Sequence, residues 1–233
     1  MKKISLLVLV ALFSFSSCNE LQQVLNTQQN GGGAGYNVAS GLKQALEMGV
    51  SSGVDLLSKD GGYFKDQAVR ILLPEELQKV DKTLRSVGLG SLADQGLKVL
   101  NEAAESAVAE AKPIFISAIK NMNFSDAMGI LKGGDNAATN YLKSNTSTAL
   151  VSAFEPKVSA SLSKVGADKV WEQIITQYNQ IPLVKPVNPN LTAYVTQQAI
   201  NGLFVKIGDK EKEIRTDVAA RTTPLLKSVF AMQ

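Results

Sequence analysis

Residues 100–118 read LNEAAESAVAEAKPIFISA, and the spacing of small and apolar side chains in that run decides the fold class. Leu100, Ala104, Ala107, Ala111, Ile114 and Ala118 recur every three or four positions, which is one face of an α-helix. Most of them are alanine, so the seam predicts helices packed at close range. Pro113 has no N–H to donate and predicts a kink near the middle of the segment.

The same period runs outward in both directions. Val38, Leu42, Ala45, Leu46, Gly49, Gly53 and Leu57 keep it upstream, with Asn37 as the expected cap. Pro74 belongs in the first turn of a helix over Glu75 to Val87, Gly88 closes that helix, and Ser91 opens the next. Downstream, a short helix over Ser125 to Leu131 ends at Gly133-Gly134. Asp135 is expected to cap a long segment from Asn136 to Val165, which Pro156 bends or breaks. Ala167 to Gln180 carries Trp171, Ile174 and Ile175 on one side. The three prolines between Pro182 and Asn190 make that stretch a connector. Leu191 to Arg215 is helical again, and Thr223-Pro224 starts a last short helix ending near Phe230. No stretch alternates with period two, so strands are at most minor. The expectation is an all-α fold: a single multi-helix bundle over residues 37–233 with Pro-kinked long helices.

The N-terminus has a different character. Lys2 and Lys3 precede an apolar run from Ile4 to Phe15 that is too short to span a bilayer, which takes about 20 residues. It has the form of a secretory signal over residues 1–17. The chain's single cysteine, Cys18, follows Phe15-Ser16-Ser17. This is similar to the lipobox of bacterial lipoproteins, in which the cysteine is acylated (diacylglycerol and palmitate) and becomes the new N-terminus. Residues 18–36 are rich in Gln, Asn and Gly and are expected to be a flexible tether. Asn19 after the cysteine favours the outer membrane by the same resemblance. The expected location is the cell envelope, lipid-anchored and facing the periplasm.

Composition removes several chemistries. With no histidine, a His-assisted triad, His-ligated zinc or His-held haem is excluded. One cysteine excludes an intramolecular disulfide. Setting aside Lys2 and Lys3, 22 basic residues face 21 acidic ones, which gives no electrostatic case for nucleic acid. No cofactor is expected, and no metal.

Four motifs invite a catalytic or binding reading. Ser117-Ala118-Ile119-Lys120 and Ser161-Leu162-Ser163-Lys164 have the Ser-x-x-Lys spacing that places a lysine one turn from a nucleophilic serine. The Ser-Asp-Asn and Lys-Thr-Gly partners of that chemistry are missing. Glu105-Ser106 resembles the pair in lysozyme-like transglycosylases, yet its neighbours Glu102 and Glu110 suggest a solvated helix face. Gly88-Leu89-Gly90-Ser91 follows a helix where a dinucleotide loop would follow a strand, so a C-cap and an N-cap account for it. Gly133-Gly134-Asp135 at a helix start is the most promising polar spot. Exposed N–H groups there suit an anion, although Asp135 would satisfy them more simply. Arg70, Thr139, Tyr141 and Arg221 complete this candidate site if the fold gathers them, with a buried Arg–carboxylate pair as the plainer outcome.

The segments Val69-Arg70-Ile71-Leu72-Leu73-Pro74, Leu131-Lys132-Gly133-Gly134-Asp135-Asn136-Ala137-Ala138-Thr139-Asn140-Tyr141 and Ala219-Ala220-Arg221-Thr222-Thr223 resemble an uncharacterised bacterial lipoprotein family. It is catalogued as domain of unknown function 4197, and the resemblance runs from about Gly41 to Phe230. It implies a mostly helical fold and an envelope location, and it brings no activity or catalytic residues. The functional expectation is therefore a non-catalytic binding or interaction module whose partner is an envelope protein or an apolar ligand. The alternative is a peptidoglycan-type hydrolase or lyase using Glu105 or a Ser-Lys pair.

Overall fold

A computed structural model describes residues 33–74, 78–86, 88, 90–180, 182–183 and 185–232. Cys18, the expected signal and nearly all of the expected tether lie outside the described residues. Among those described, every regular element is a helix: α1 Gly33–Leu57, α2 Gln78–Ser86, α3 Gly90–Val108, α4 Ala111–Asn121, α5 Phe124–Lys132, α6 Ala137–Ser163, α7 Ala167–Asn179, α8 Leu191–Thr216, a 3-10 turn Val218–Ala220, and α9 Pro224–Phe230. The all-α bundle read from periodicity is the observed fold. No helix among the described residues is long and apolar enough to cross a membrane.

The centre of the bundle is α8, which packs against α1, α3 and α6. Val195, Ala199, Leu203 and Ile207 repeat every four residues and are all buried, so one stripe of α8 faces the core. On α6 the stripe is Leu142, Thr146, Leu150, Phe154, Val158 and Leu162. Thr146 stays within that stripe by donating its hydroxyl to Leu142 O at 2.6 Å. Phe115 of α4 and Phe204 of α8 meet edge to face, with ring centroids 5.8 Å apart. α1 runs antiparallel to α8, because Gly49 faces Lys210 while Gly53 faces Leu203 and Lys206.

Several local expectations need correction. Pro113 does not kink one long helix; the helix stops at Val108 and a new one starts at Ala111. The proline ring opposes the carbonyl four residues back, at Ala109, and the missing N–H has no partner to lose in a first turn. Pro156 lies inside α6, which continues past it to Ser163. Asn37 does not cap α1, which already includes Gly33 to Tyr36. α2 is described from Gln78, and the first turn expected after Pro74, residues 75–77, lies outside the described residues. Gly88, at φ +83°, and Gly166, at φ +70°, close turns after α2 and α6 in the left-handed region that glycine tolerates. α9 begins as expected, with Thr223 Oγ1 accepting from Leu226 N and Pro224 in the first turn.

Candidate functional site

At the start of α6, the leading polar candidate, Asp135 is not the group that meets the helix. The first N–H groups of the helix are satisfied by Glu211, reaching over from α8. Its Oε1 accepts from Ala138 N at 2.9 Å, and its Oε2 accepts from Thr139 N at 2.8 Å and Thr139 Oγ1 at 2.7 Å. Arg215, one turn further along α8, donates Nε and Nη2 to the same Oε1 at 2.9 and 2.8 Å. Arg215 also donates Nη2 to Ile130 O at the end of α5. Both side chains are almost wholly buried.

Asp135 is exposed and caps nothing; the residue before α6 is Asn136, whose side chain makes no capping bond. A buried Arg–carboxylate pair exists as expected, but its members are Glu211 and Arg215. Leu203, Ile207, Glu211 and Ile214 share one helical face. A carboxylate in that apolar stripe, with arginine four residues on, was the sequence signal for the pair.

The other proposed members of the site are not gathered there. Arg221 donates Nε to Ile214 O and Nη2 to Arg215 O, closing the C-terminus of α8, where a cation meets the negative end of the helix. Its guanidinium also lies 5.5 Å from the centre of the Phe230 ring. Arg70 sits on a different part of the surface, 4.3 Å over the ring of Phe64 and 3.7 Å from Asp94. Of the five residues, Thr139 meets Glu211, Arg221 reaches that cluster through the Arg215 carbonyl, and Arg70, Asp135 and Tyr141 stand apart.

Glu105 does not lie on a solvated helix face. It is buried, and its oxygens accept backbone N–H groups of Gly61 at 3.2 Å, Tyr63 at 3.0 Å and Phe64 at 3.3 Å. Its neighbour Glu102 is exposed and Glu110 is half-buried beside Lys157, so the run of glutamates by itself reads as a solvated face. Beside it, Asn101 pairs with both backbone groups of Ile71, at 2.8 and 2.9 Å. Together they pin residues 61–71 to α3. Tyr63 is fully buried there and donates its hydroxyl to Ala199 O at 2.7 Å. Burial, reinforced by the nearby Glu105 charge, pushes its phenol far above the usual range. Both Glu105 oxygens accept from this segment, an arrangement that holds a loop.

An open groove of about 640 Å³ runs between α4, α5 and α6. Pro113, Ile114, Ala118 and Ala149 supply its apolar surface, and Ser117, Asn121, Asp126, Tyr141 and Asn145 its polar groups. Asp126, Tyr141 and Asn145 also line an adjoining depression that reaches Ala137. Asp126 completes a capping box with Asn123 at the start of α5. The Tyr141 hydroxyl is 3.5 Å from Asp126 Oδ2, and partial burial followed by that carboxylate raises its phenol. Ser117 of the first Ser-x-x-Lys motif lines the groove, whereas Lys120 is exposed and is not part of the lining.

A family model described as "Protein of unknown function (DUF4197)" matches residues 34–231. The chain belongs to that family. This match spans the described helices and bears out the resemblance read in the three segments. Two of those segments are joints of this DUF4197 domain. Ile71 is held by Asn101, and Leu72 O accepts from the Tyr194 hydroxyl at 2.6 Å. Ala138 and Thr139 are held by Glu211. No curated protein and no solved structure matches the chain.

Proposed function

We propose that the protein is a bacterial envelope lipoprotein whose helical DUF4197 domain is a non-catalytic binding module, anchored through acylated Cys18. What supports the binding role is the open groove along α4, α5 and α6, set against the fate of the acidic side chains. Glu105 and Glu211 are the buried carboxylates among the described residues, and both are committed to backbone donors and, for Glu211, to Arg215. The anchoring half rests on the sequence: a basic start, a short apolar run, and the chain's one cysteine after two serines. The outer membrane is the assigned destination, from Asn19.

The test is metabolic labelling with radioactive palmitate followed by membrane fractionation. Wild type is expected to take up label and sediment with outer membrane. Cys18→Ser is expected to do neither. A Cys18→Ser protein that is processed and fractionates like wild type refutes the anchor.

A further inference from the structure

We propose that the groove between α4, α5 and α6 takes a neutral oligosaccharide chain. This deepens the binding-module reading by naming its ligand class. The groove and its adjoining depression form one track along α6 from Ala137 to Ala149, about 18 Å of helix rise. That length suits an extended chain of a few sugar units and exceeds what a single small metabolite needs.

The chemistry of the lining selects the occupant. Ser117, Asn121, Asn140 and Ser144 offer neutral donors and acceptors, and none makes a side-chain hydrogen bond among the described residues. Asn145 gives one N–H to Tyr141 O at 2.8 Å and keeps its carbonyl oxygen. Tyr141 sits where the two depressions join and presents an aromatic surface, and Pro113, Ile114, Ala118 and Ala149 add apolar patches that match the C–H faces of sugar rings.

Other ligand classes fit less well. No lysine or arginine lines either depression, and the sole charge is Asp126, so phosphates, nucleic acid and anionic lipid headgroups would meet a carboxylate without a counter-charge. An acyl chain would bury amides without partners. An amphipathic helix needs a continuous apolar stripe, which the interleaved serines and asparagines interrupt. A chain carrying hydroxyl and amide groups along its length satisfies both surfaces at once.

The experiment is isothermal titration calorimetry of the full chain in detergent with chitotetraose and, separately, cellotetraose. Saturable binding of at least one is expected. Ala149→Arg, an exposed helical position that places a bulky side chain in the groove, should weaken it by at least about tenfold. Asn121→Ala, also exposed, should weaken it measurably while circular dichroism is unchanged. Absence of binding by both sugars overturns the proposal, as does binding that Ala149→Arg leaves intact. If a photo-crosslinking residue at position 121 captures an envelope protein while neither sugar binds, the glycan assignment fails and the broader binding-module reading survives. Cys18→Ser fractionating like wild type strikes the anchor and leaves the sugar test standing.

Discussion

Glu211 illustrates how much one buried side chain can carry. Its two oxygens close the start of α6 and hold Arg215, whose guanidinium reaches the end of α5. Removing one member of such a pair leaves the other charge buried and unpaired. Glu211→Ala is therefore expected to cost about 3–5 kcal/mol, read as a lower denaturation midpoint in urea. A loss within a few tenths of that of an exposed Glu→Ala change would refute this account. Asp66 gives a pH prediction. The hydrogen bond from Lys206, at 2.6 Å, together with Ala68 N, holds its carboxyl below the ordinary carboxylate range. A depressed folded value stabilises the protein above the unfolded pKa, and that contribution is lost as pH falls through the folded one. Asp66→Asn should lower stability at neutral pH and flatten its decline between about pH 5 and pH 2. Urea midpoints across that range, compared with wild type, check it.

At the scale of elements, two glycines inside helices respond in opposite ways. A Cβ at Gly202 of α8 would stand 2.8 Å from the Tyr63 ring and 3.1 Å from Val69. Tyr63 cannot retreat without giving up its bond to Ala199 O, so Gly202→Ala should destabilise by about 1–3 kcal/mol. Gly96 of α3 is exposed, and a Cβ there meets nothing within 4 Å. Gly96→Ala should stabilise by about 0.5–1 kcal/mol, because alanine gives up less backbone freedom on folding. Thermal melts of the two variants should move in opposite directions. A gain from Gly202→Ala would mean that α8 and the 61–71 segment are less tightly joined than these distances imply.

For the whole molecule, the buried apolar side chains of α1, α3, α4, α6 and α8 belong to one hydrophobic cluster, which includes Trp171 of α7. Trp171 is the chain's single tryptophan and stacks on Tyr194 of α8, with ring centroids 6.2 Å apart. Its fluorescence therefore reports the docking of α7, while far-ultraviolet circular dichroism reports all the helices. A single cluster predicts that the two signals unfold with the same midpoint. An earlier loss of fluorescence would show that α7 and the connector after it come away separately.

The sequence by itself determined the all-α class, most helix positions and family membership, because a three-to-four period and the punctuation by proline, glycine and capping residues are local properties of the chain. It also showed that α9 starts at Pro224 and that residues 182–190 are a connector. Tertiary structure alone decided the roles of the polar residues. Glu105 reads as one of several surface glutamates until the 61–64 backbone is laid over it. Asp135 reads as the cap of α6 until Glu211, 72 residues beyond Thr139, meets that backbone. The groove is likewise an arrangement of three helices whose lining comes from separate stretches. A carboxylate's task depends on which donors surround it, and those donors come from parts of the chain that no local period connects.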